Sequence, residues 1–244
     1  MSKFSISLTL GKASAEGGAN IEHNNRDFIA NNVDVRRIFD NLTYVRHDVR
    51  DAYEELFGEA LKEYNAKQKQ PCRRIDDYFD HIMDGKREEA YYEVIVQFGD
   101  VNNCAIGSEN AETAKKMLDT YIRGWKQRNP NLYICNAVLH ADEATPHIHI
   151  DFIPFYTKGR KNGLSKGVSM KAALNEQGFT AKNSHENQLV SWEESERSVM
   201  EKVLKQYGHE REIKHANYPH LSVGEYKRKK DTEKLSQLLG YVLK

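Results

Sequence analysis

The chain has 244 residues, which is enough for one large domain or two small ones with a buried core. Apolar residues make up 39% of the chain, and 36 basic residues balance 36 acidic ones, so the formal net charge is zero. This composition excludes fibrous and disordered proteins, and any nucleic-acid binding must come from a local basic patch rather than from the overall charge.

Two kinds of apolar periodicity alternate along the chain and predict its elements. Strands are expected over residues 4–10, 91–98, 132–140 and 147–154. Helices are expected over residues 48–66, 75–82, 108–128, 168–177, 186–207 and 225–242, and residues 11–32 form a loop or an irregular short helix. The short connection 141–146 favours an antiparallel hairpin. The fold class is therefore α/β (α+β), an antiparallel sheet covered by helices.

Cysteine usage and hydropathy bear on location. Cys72, Cys104 and Cys135 form neither an even set nor a C-x-x-C pair, which indicates buried free thiols in a reducing cytoplasm. Polar residues interrupt the N-terminal apolar stretch, which argues against a secretory signal. The apolar run 91–98 is far shorter than a membrane span of roughly 20 residues.

The segment HADEATPHIH, from His140 to His149, carries the most specific chemical signal. Residues two apart in a strand point to the same face, so His147 and His149 project together while Ile148 faces the core. A hairpin brings His140 beside them, which gives three imidazoles on one surface with room for water or substrate. An open site with three protein ligands is typical of a catalytic metal.

This cluster has alternative interpretations. The histidines could be hydrogen-bonded surface residues, or ligands of a structural zinc, for which the sequence offers no evident fourth ligand such as a nearby cysteine. Asp142 and Glu143 lie at the rim, and either could be a fourth ligand, a general base or an acceptor that fixes an imidazole tautomer. We expect an orienting or base role for Glu143 and an ordinary turn carboxylate at Asp142.

Two segments resemble a known family. HADEATPHIHIDFIPF resembles the H-x-D-E-x-x-P-H-x-H-x-x-x-x-P signature of MobV-type relaxases, the Pre/Mob plasmid mobilisation and recombination proteins of the HUH endonuclease superfamily. Gly17-Gly18, followed by HNNR from His23 to Arg26, resembles the family's GG…HNxR segment. The resemblance covers about residues 10–180. It implies an HUH relaxase domain over residues 1–180, with a C-terminal helical extension over residues 181–244.

The resemblance also implies a chemistry. The chain would be a DNA strand transferase that nicks one strand at a single-stranded or hairpin origin of transfer and stays attached to the 5′ phosphate. His23 would be the nucleophile, and Arg26 would neutralise charge on the phosphate oxygens. A divalent metal on His140, His147 and His149 would act as a Lewis acid. Relaxases are expected to use manganese or magnesium, whereas imidazole ligands favour metals such as zinc, which is therefore not excluded.

Further residues are expected to contact DNA. Tyr44 loosely matches a family tyrosine and is an alternative nucleophile or a DNA contact. A basic loop that leaves directly from the histidine hairpin is expected to bind phosphates through Lys158, Arg160, Lys161, Lys166 and Lys171. Residues 227–230 form a second basic cluster.

Other functions remain open from the sequence. A rolling-circle replication initiator or a transposon-encoded nicking protein would use the same chemistry, a DNA-binding module would keep the fold without turnover, and a metallohydrolase would cleave small phosphoesters. The family also implies a possible homo-oligomer through a C-terminal region.

Overall fold

The computed structural model describes residues 3–13, 18–159, 163–181 and 187–213, together with Thr232. Some sequence-based predictions fall outside the described residues. They are the helix 225–242, apart from Thr232, the basic cluster 227–230, and the residues Gly17, Arg160 and Lys161. The elements described below all belong to one unit, Met1–Glu212.

Within the described ranges the chain forms eight strands: β1 (Lys3–Phe4), β2 (Ile6–Lys12), β3 (Leu42–Arg46), β4 (Tyr92–Phe98), β5 (Leu132–His140), β6 (His147–Tyr156), β7 (Gly167–Val168) and β8 (Glu210–Arg211). The main sheet is antiparallel in the order β2-β4-β6-β5-β3, and β7 pairs with the end of β6. A separate parallel pair joins β1 to β8. Strand β6 therefore lies in the middle of the sheet, hydrogen-bonded on both sides.

The helices of the described part are α1 (Ile21–Asn24), α2 (Val49–Lys67), α3 (Tyr78–Met83), α4 (Glu109–Arg123), α5 (Trp125–Arg128), α6 (Met170–Glu176) and α7 (Gln188–Gln206). Two 3-10 helices cover Val35–Asp40 and Pro71–Arg73. Side-chain caps begin the long helices: the carboxylate of Asp48 accepts from the first turn of α2, and Ser108 accepts from Ala111 in α4. Gly178 and Gly208 adopt the left-handed backbone that follows α6 and α7.

The sheet packs differently on its two faces. On one face, Ile148, Ile150 and Phe152 of β6 join a core cluster with Trp125 and Trp192, which brings α7 against α4 and α6. On the other face, α2 and α3 form a second cluster that covers β6 at the level of Ile153. Because side chains alternate along a strand, this second face also carries the odd-numbered residues of β6 near its start.

The structure differs from the sequence-based expectations at several points. Strand β3 and the 3-10 helix before it were not predicted, since LTYVR is short and only half apolar. Helix α4 ends at Arg123 because Gly124 interrupts the expected helix 108–128. The expectation of three buried thiols is wrong for Cys72, which is exposed, while Cys104 and Cys135 are buried. No helix in the described ranges is long and apolar enough to cross a membrane.

Candidate active site

The hairpin of β5 and β6 brings three histidines together on the second face of the sheet. His140 at the end of β5 stands directly opposite His147 at the start of β6, and His149 follows on the same face of β6. The ring centroids of His140 and His149 are 4.6 Å apart, those of His147 and His149 4.9 Å, and those of His140 and His147 5.3 Å. One nitrogen from each ring lies within 4.8 Å of the others, so the cluster can hold a metal ion.

Hydrogen bonds to the outer nitrogens orient all three rings. Nε2 of His140 donates to the carbonyl oxygen of Asn24 (2.8 Å), Nδ1 of His147 donates to that of Thr145 (2.9 Å), and Nδ1 of His149 donates to Glu93 (2.6 Å). The opposite nitrogens of His140 and His149 are buried without a partner. Metal-binding histidines typically have one nitrogen held by an acceptor in this way and the other free for the ion.

Burial keeps two of these rings neutral, which is the form that binds metal. Desolvation and the neighbouring His149 lower the pKa of His147 to about 3. Desolvation, with the nearby His140, also lowers the pKa of His149 well below its usual value. The unpartnered nitrogens and the neutral rings together fit a divalent metal.

His23, on the four-residue helix α1, lies beside this cluster. Its ring centroid is 6.1 Å from those of His140 and His149, and its Nε2 is 3.7 Å from the nearer oxygen of Glu143. Nη1 of Arg26 lies 3.4 Å from the same Nε2. Because a guanidinium can only donate, this contact favours the tautomer in which Nε2 of His23 is unprotonated and accepts, with the ring proton on Nδ1.

Arg26 is bound to carboxylates rather than turned toward open space. Its guanidinium donates twice to Asp142 (2.8 and 2.6 Å) and once to Glu143 (2.8 Å), and its side chain is only 5% exposed. Asp142 is fully buried and also accepts from Asn41, so the expectation of an ordinary turn carboxylate is wrong. In this arrangement Arg26 links α1 to the β5–β6 connection.

Glu143 lies between the nucleophile candidate and the metal cluster. One of its oxygens is 3.6 Å from Nδ1 of His140 and the other is 3.9 Å from Nε2 of His147. Burial raises the pKa of Glu143, but His140, His23 and Arg26 outweigh it, so the pKa lies well below its usual value and the carboxylate stays ionised.

An open cleft of about 290 Å³ gives access to this arrangement. His23, Glu143, His147 and His149 line it, together with Ile95, Gln97, Ala144 and Thr145. Two of the three clustered histidines and His23 therefore face the same solvent-accessible space, which is what a reaction between a bound phosphate and an imidazole requires.

Residues 28–228 match the family model Mob_Pre, described as plasmid recombination enzyme. The chain belongs to this family. The match confirms the family and the enzyme class indicated by the HADEATPHIH segment. The matched range of the Mob_Pre chain contains all three clustered histidines and begins just after His23 and Arg26.

Solved structures with the same fold support the architecture. One is a MobM relaxase domain (MOBV; Mob_Pre) bound to 22 nucleotides of plasmid pMV158 oriT DNA with manganese; it is 19% identical, with a TM-score of 0.51, and the match covers 93% of the present chain and 100% of that chain. Another structure of that domain, with 23 nucleotides and manganese, is 20% identical, with a TM-score of 0.50 and coverages of 94% and 99%. The predicted fold class is thus confirmed. No curated protein matches the sequence.

Tyr44 of this Mob_Pre chain lies away from the histidines. It packs against the core cluster on the face of the sheet that α4 covers, and its hydroxyl donates to Asp119 of α4 (2.9 Å). Burial and Asp119 raise the pKa of Tyr44 well above its usual value. The placement on the opposite face from His147 and His149 argues against Tyr44 as the nucleophile.

The basic loop does not leave from the histidine end of the hairpin. It begins after Tyr156, seven residues beyond His149, which is about 23 Å along an extended strand. Lys158 is exposed there, whereas Nζ of Lys166 lies 4.6 Å from the ring centroid of Phe155, and burial lowers its pKa. The expectation that this loop adjoins the metal cluster is therefore wrong for the lysines that the structure describes.

Sequence reasoning missed a buried polar network behind the histidines. The side-chain amide of Asn24 donates to Glu93 (2.6 Å) and to Asp151 (3.0 Å), which face each other across β4 and β6. Asn136 donates to the same oxygen of Asp151 (3.0 Å). One signal for Asp151 was available, because it continues the two-residue spacing of His147 and His149 along β6.

Proposed function

We propose that this Mob_Pre protein is a metal-dependent relaxase that nicks one DNA strand at an origin of transfer and remains attached to the 5′ phosphate. The observation that carries the proposal is the common cleft, in which His147 and His149 of the three-histidine cluster face His23 beside an ionised Glu143, with His140 buried behind them. Membership in the plasmid recombination enzyme family and the oriT DNA bound to the MobM relaxase domain support the choice of DNA as substrate.

The residues present fit a divalent metal. His140, His147 and His149 would hold it through the nitrogens that face one another, and the acceptors on the outer nitrogens would fix their orientation. When bound, the ion supplies Lewis-acid polarisation of the scissile phosphate. Manganese is the ion we infer, since the MobM relaxase domain binds it.

His23 is the nucleophile in this proposal. Its Nε2 attacks the scissile phosphorus, so a P–N bond forms while the P–O3′ bond breaks. The 3′ oxygen leaves and takes up one proton. The phosphorylated imidazole loses its proton from Nδ1 to solvent, so the protons balance. The P–N bond of the phosphoramidate keeps the bond energy that is needed to rejoin the strand later to a 3′ hydroxyl.

Neighbouring groups prepare His23 for this step. Glu143 orients the imidazole through Arg26, whose guanidinium donates to Glu143 and lies 3.4 Å from Nε2 of His23, while Asn32 also donates to Glu143. Arg26 therefore acts as a positioning residue that selects the tautomer with the proton on Nδ1, and the lone pair of Nε2 attacks once this contact opens.

The remaining expectations belong to the same proposal. DNA phosphates further from the nick would contact the basic loop with Lys158, Arg160, Lys161 and Lys166, whereas Tyr44, on the face of the sheet opposite His147 and His149, is not assigned to the DNA path. Residues 1–180 would form the catalytic domain and residues 181–244 an extension. The protein would act in the cytoplasm, where plasmid DNA is processed.

The test is a nicking reaction with supercoiled plasmid carrying the candidate origin. Wild-type protein and Mn²⁺ should yield a nicked strand whose mobility on a denaturing gel shifts only when protease is omitted. Peptide mapping of the DNA-linked fragment should identify His23. The variant His23→Ala should bind DNA but form no adduct, and His81→Ala, an exposed histidine on α3, serves as the matched control.

Two results would overturn the proposal. An undiminished adduct in His23→Ala would remove His23 from the mechanism. DNA binding without any nick in Mn²⁺, Mg²⁺ or Zn²⁺ would identify a binding module instead.

A further inference from the structure

Exposed apolar side chains concentrate beside the candidate active site. Among the described residues, eight large apolar side chains are at least 45% exposed, and five of them lie between positions 28 and 42. We call these five the apolar rim: Phe28, Ile29, Val35, Phe39 and Leu42. Phe39 is 96% exposed, the largest value among these eight side chains. Such a concentration of exposed apolar groups marks an interaction surface.

The segment that carries the apolar rim is fixed to the β5–β6 connection, residues 141–146, which we call the catalytic loop. The backbone N–H of Asp34 donates to the carbonyl oxygen of Asp142 (2.7 Å), and the side-chain amide of Asn32 donates to Glu143 (2.6 Å). Asn41 bonds Asp142 from the other end of the segment (2.7 Å). These hydrogen bonds hold the segment next to Glu143, so the apolar rim is exposed while its backbone is fixed in place.

The rim begins at the nucleophile. The ring centroid of Phe28 lies 5.7 Å from that of His23. A phosphate placed for attack by His23 carries a nucleotide on either side, so the base of one neighbour must lie within reach of Phe28. Every nucleobase has an aromatic face, and exposed aromatic rings bind single strands by stacking.

The charge of the segment fits bases better than phosphates. Residues 27–46 contain three aspartates and three arginines, so the segment has no net charge with which to attract a backbone. Phe28 and Phe39 are its exposed aromatic groups.

We propose that the apolar rim is a stacking surface for unpaired DNA bases next to the scissile phosphate, with Phe28 as the platform nearest the nick. This inference rests on the proposed function. It predicts tolerance of base identity at the stacked position, since stacking does not read base edges.

A fluorescent reporter tests the contact directly. The two natural tryptophans, Trp125 and Trp192, are fully buried, so Phe28→Trp adds an accessible indole to a nearly constant background. The probes are a 15-nucleotide strand of thymidine and an abasic strand of the same length. The thymidine strand should quench the new fluorescence, whereas the abasic strand should not. Met83→Trp, at an exposed apolar position on α3, is the matched control.

Affinity gives an independent measure. Phe28→Ala should weaken binding of the thymidine strand roughly 5- to 150-fold in fluorescence anisotropy, the range expected for loss of one stacked base. Phe28→Tyr should restore most of it, and Phe28→Leu, which keeps the apolar area without the ring, should not. Met83→Ala should bind as the wild type does.

The outcomes separate this inference from the proposed function. Wild-type protein that binds neither strand and nicks nothing contradicts the proposed function itself. Nicking activity with unchanged affinity in Phe28→Ala and no quenching in Phe28→Trp overturns only the stacking surface. Light scattering of DNA-free protein tests a second copy as the occupant: a dimer that Phe39→Ala abolishes would overturn the proposal in favour of self-association.

Discussion

Replacing Arg26 with alanine removes the cation that links two carboxylates of the catalytic loop. Asp142 would lose both bonds to the guanidinium and Glu143 would lose one, while Asp142 stays buried. Removing one partner of a buried ion pair typically costs about 3–5 kcal/mol. Asn41 and Asn32 still donate to these carboxylates, so we expect a loss near the lower end, about 3 kcal/mol.

Urea unfolding at neutral pH, with a chelator present to remove metal, measures this loss in the free energy of unfolding, and thermal unfolding under the same conditions gives the melting temperature. For a unit of this size, about 3 kcal/mol corresponds to a melting temperature lower by roughly 6–12 °C. Arg36→Ala is the matched control, because that side chain is 85% exposed and a solvent-exposed ion pair such as the one with Asp34 contributes little to stability. Arg26→Ala that unfolds like the wild type but loses DNA affinity would refute the positioning role and restore the predicted contact with phosphate.

Three more predictions follow from the site. Glu93→Ala should weaken Mn²⁺ binding roughly 10- to 100-fold in titration calorimetry, because the acceptor for His149 is lost; an unchanged affinity would contradict this role. Burial beside Glu93 raises the pKa of Asp151 to about 7, so the stability from its protonated form is complete below the usual value of 3.8 and is lost as the pH rises through 7. Melting temperatures of metal-free protein should therefore fall between about pH 5 and about pH 8, and less steeply in Asp151→Asn, whereas identical slopes would argue against the shift. Tyr44→Phe should nick within about twofold of wild type and lose about 1 kcal/mol of stability with the bond to Asp119, and loss of the adduct would make Tyr44 the nucleophile again.

The histidine cluster was predictable because its geometry is local. A six-residue connection between two alternating strands specifies a hairpin, and strand pleating places His147 and His149 on one face. The pairing of His140 with His147 then follows from the position of each at its strand end.

The rest of the site depends on contacts distant in sequence. Glu93 reaches His149 only because β4 is the neighbour of β6, and strand periodicity does not say which strands are adjacent. Arg26 and Asp142 are 116 positions apart, so the sequence could suggest their chemistry but not their partnership. The same holds for the basic loop. Its charge could be read from the sequence, but its distance from the histidines depends on the length of β6, which the sequence did not define.

The site has two parts that differ in local stability: the metal ligands on the hairpin with the central strand β6, and His23 on the short helix α1. Opening β6 requires breaking its ladders with both β4 and β5, so the backbone amides of His147 and His149 should exchange with solvent only when the whole sheet unfolds. His23 instead lies on a single helical turn, which can open at a much smaller free-energy cost. A DNA end joined to His23 would thus be tethered to the more easily opened part, while the metal ligands keep their geometry for the reverse reaction.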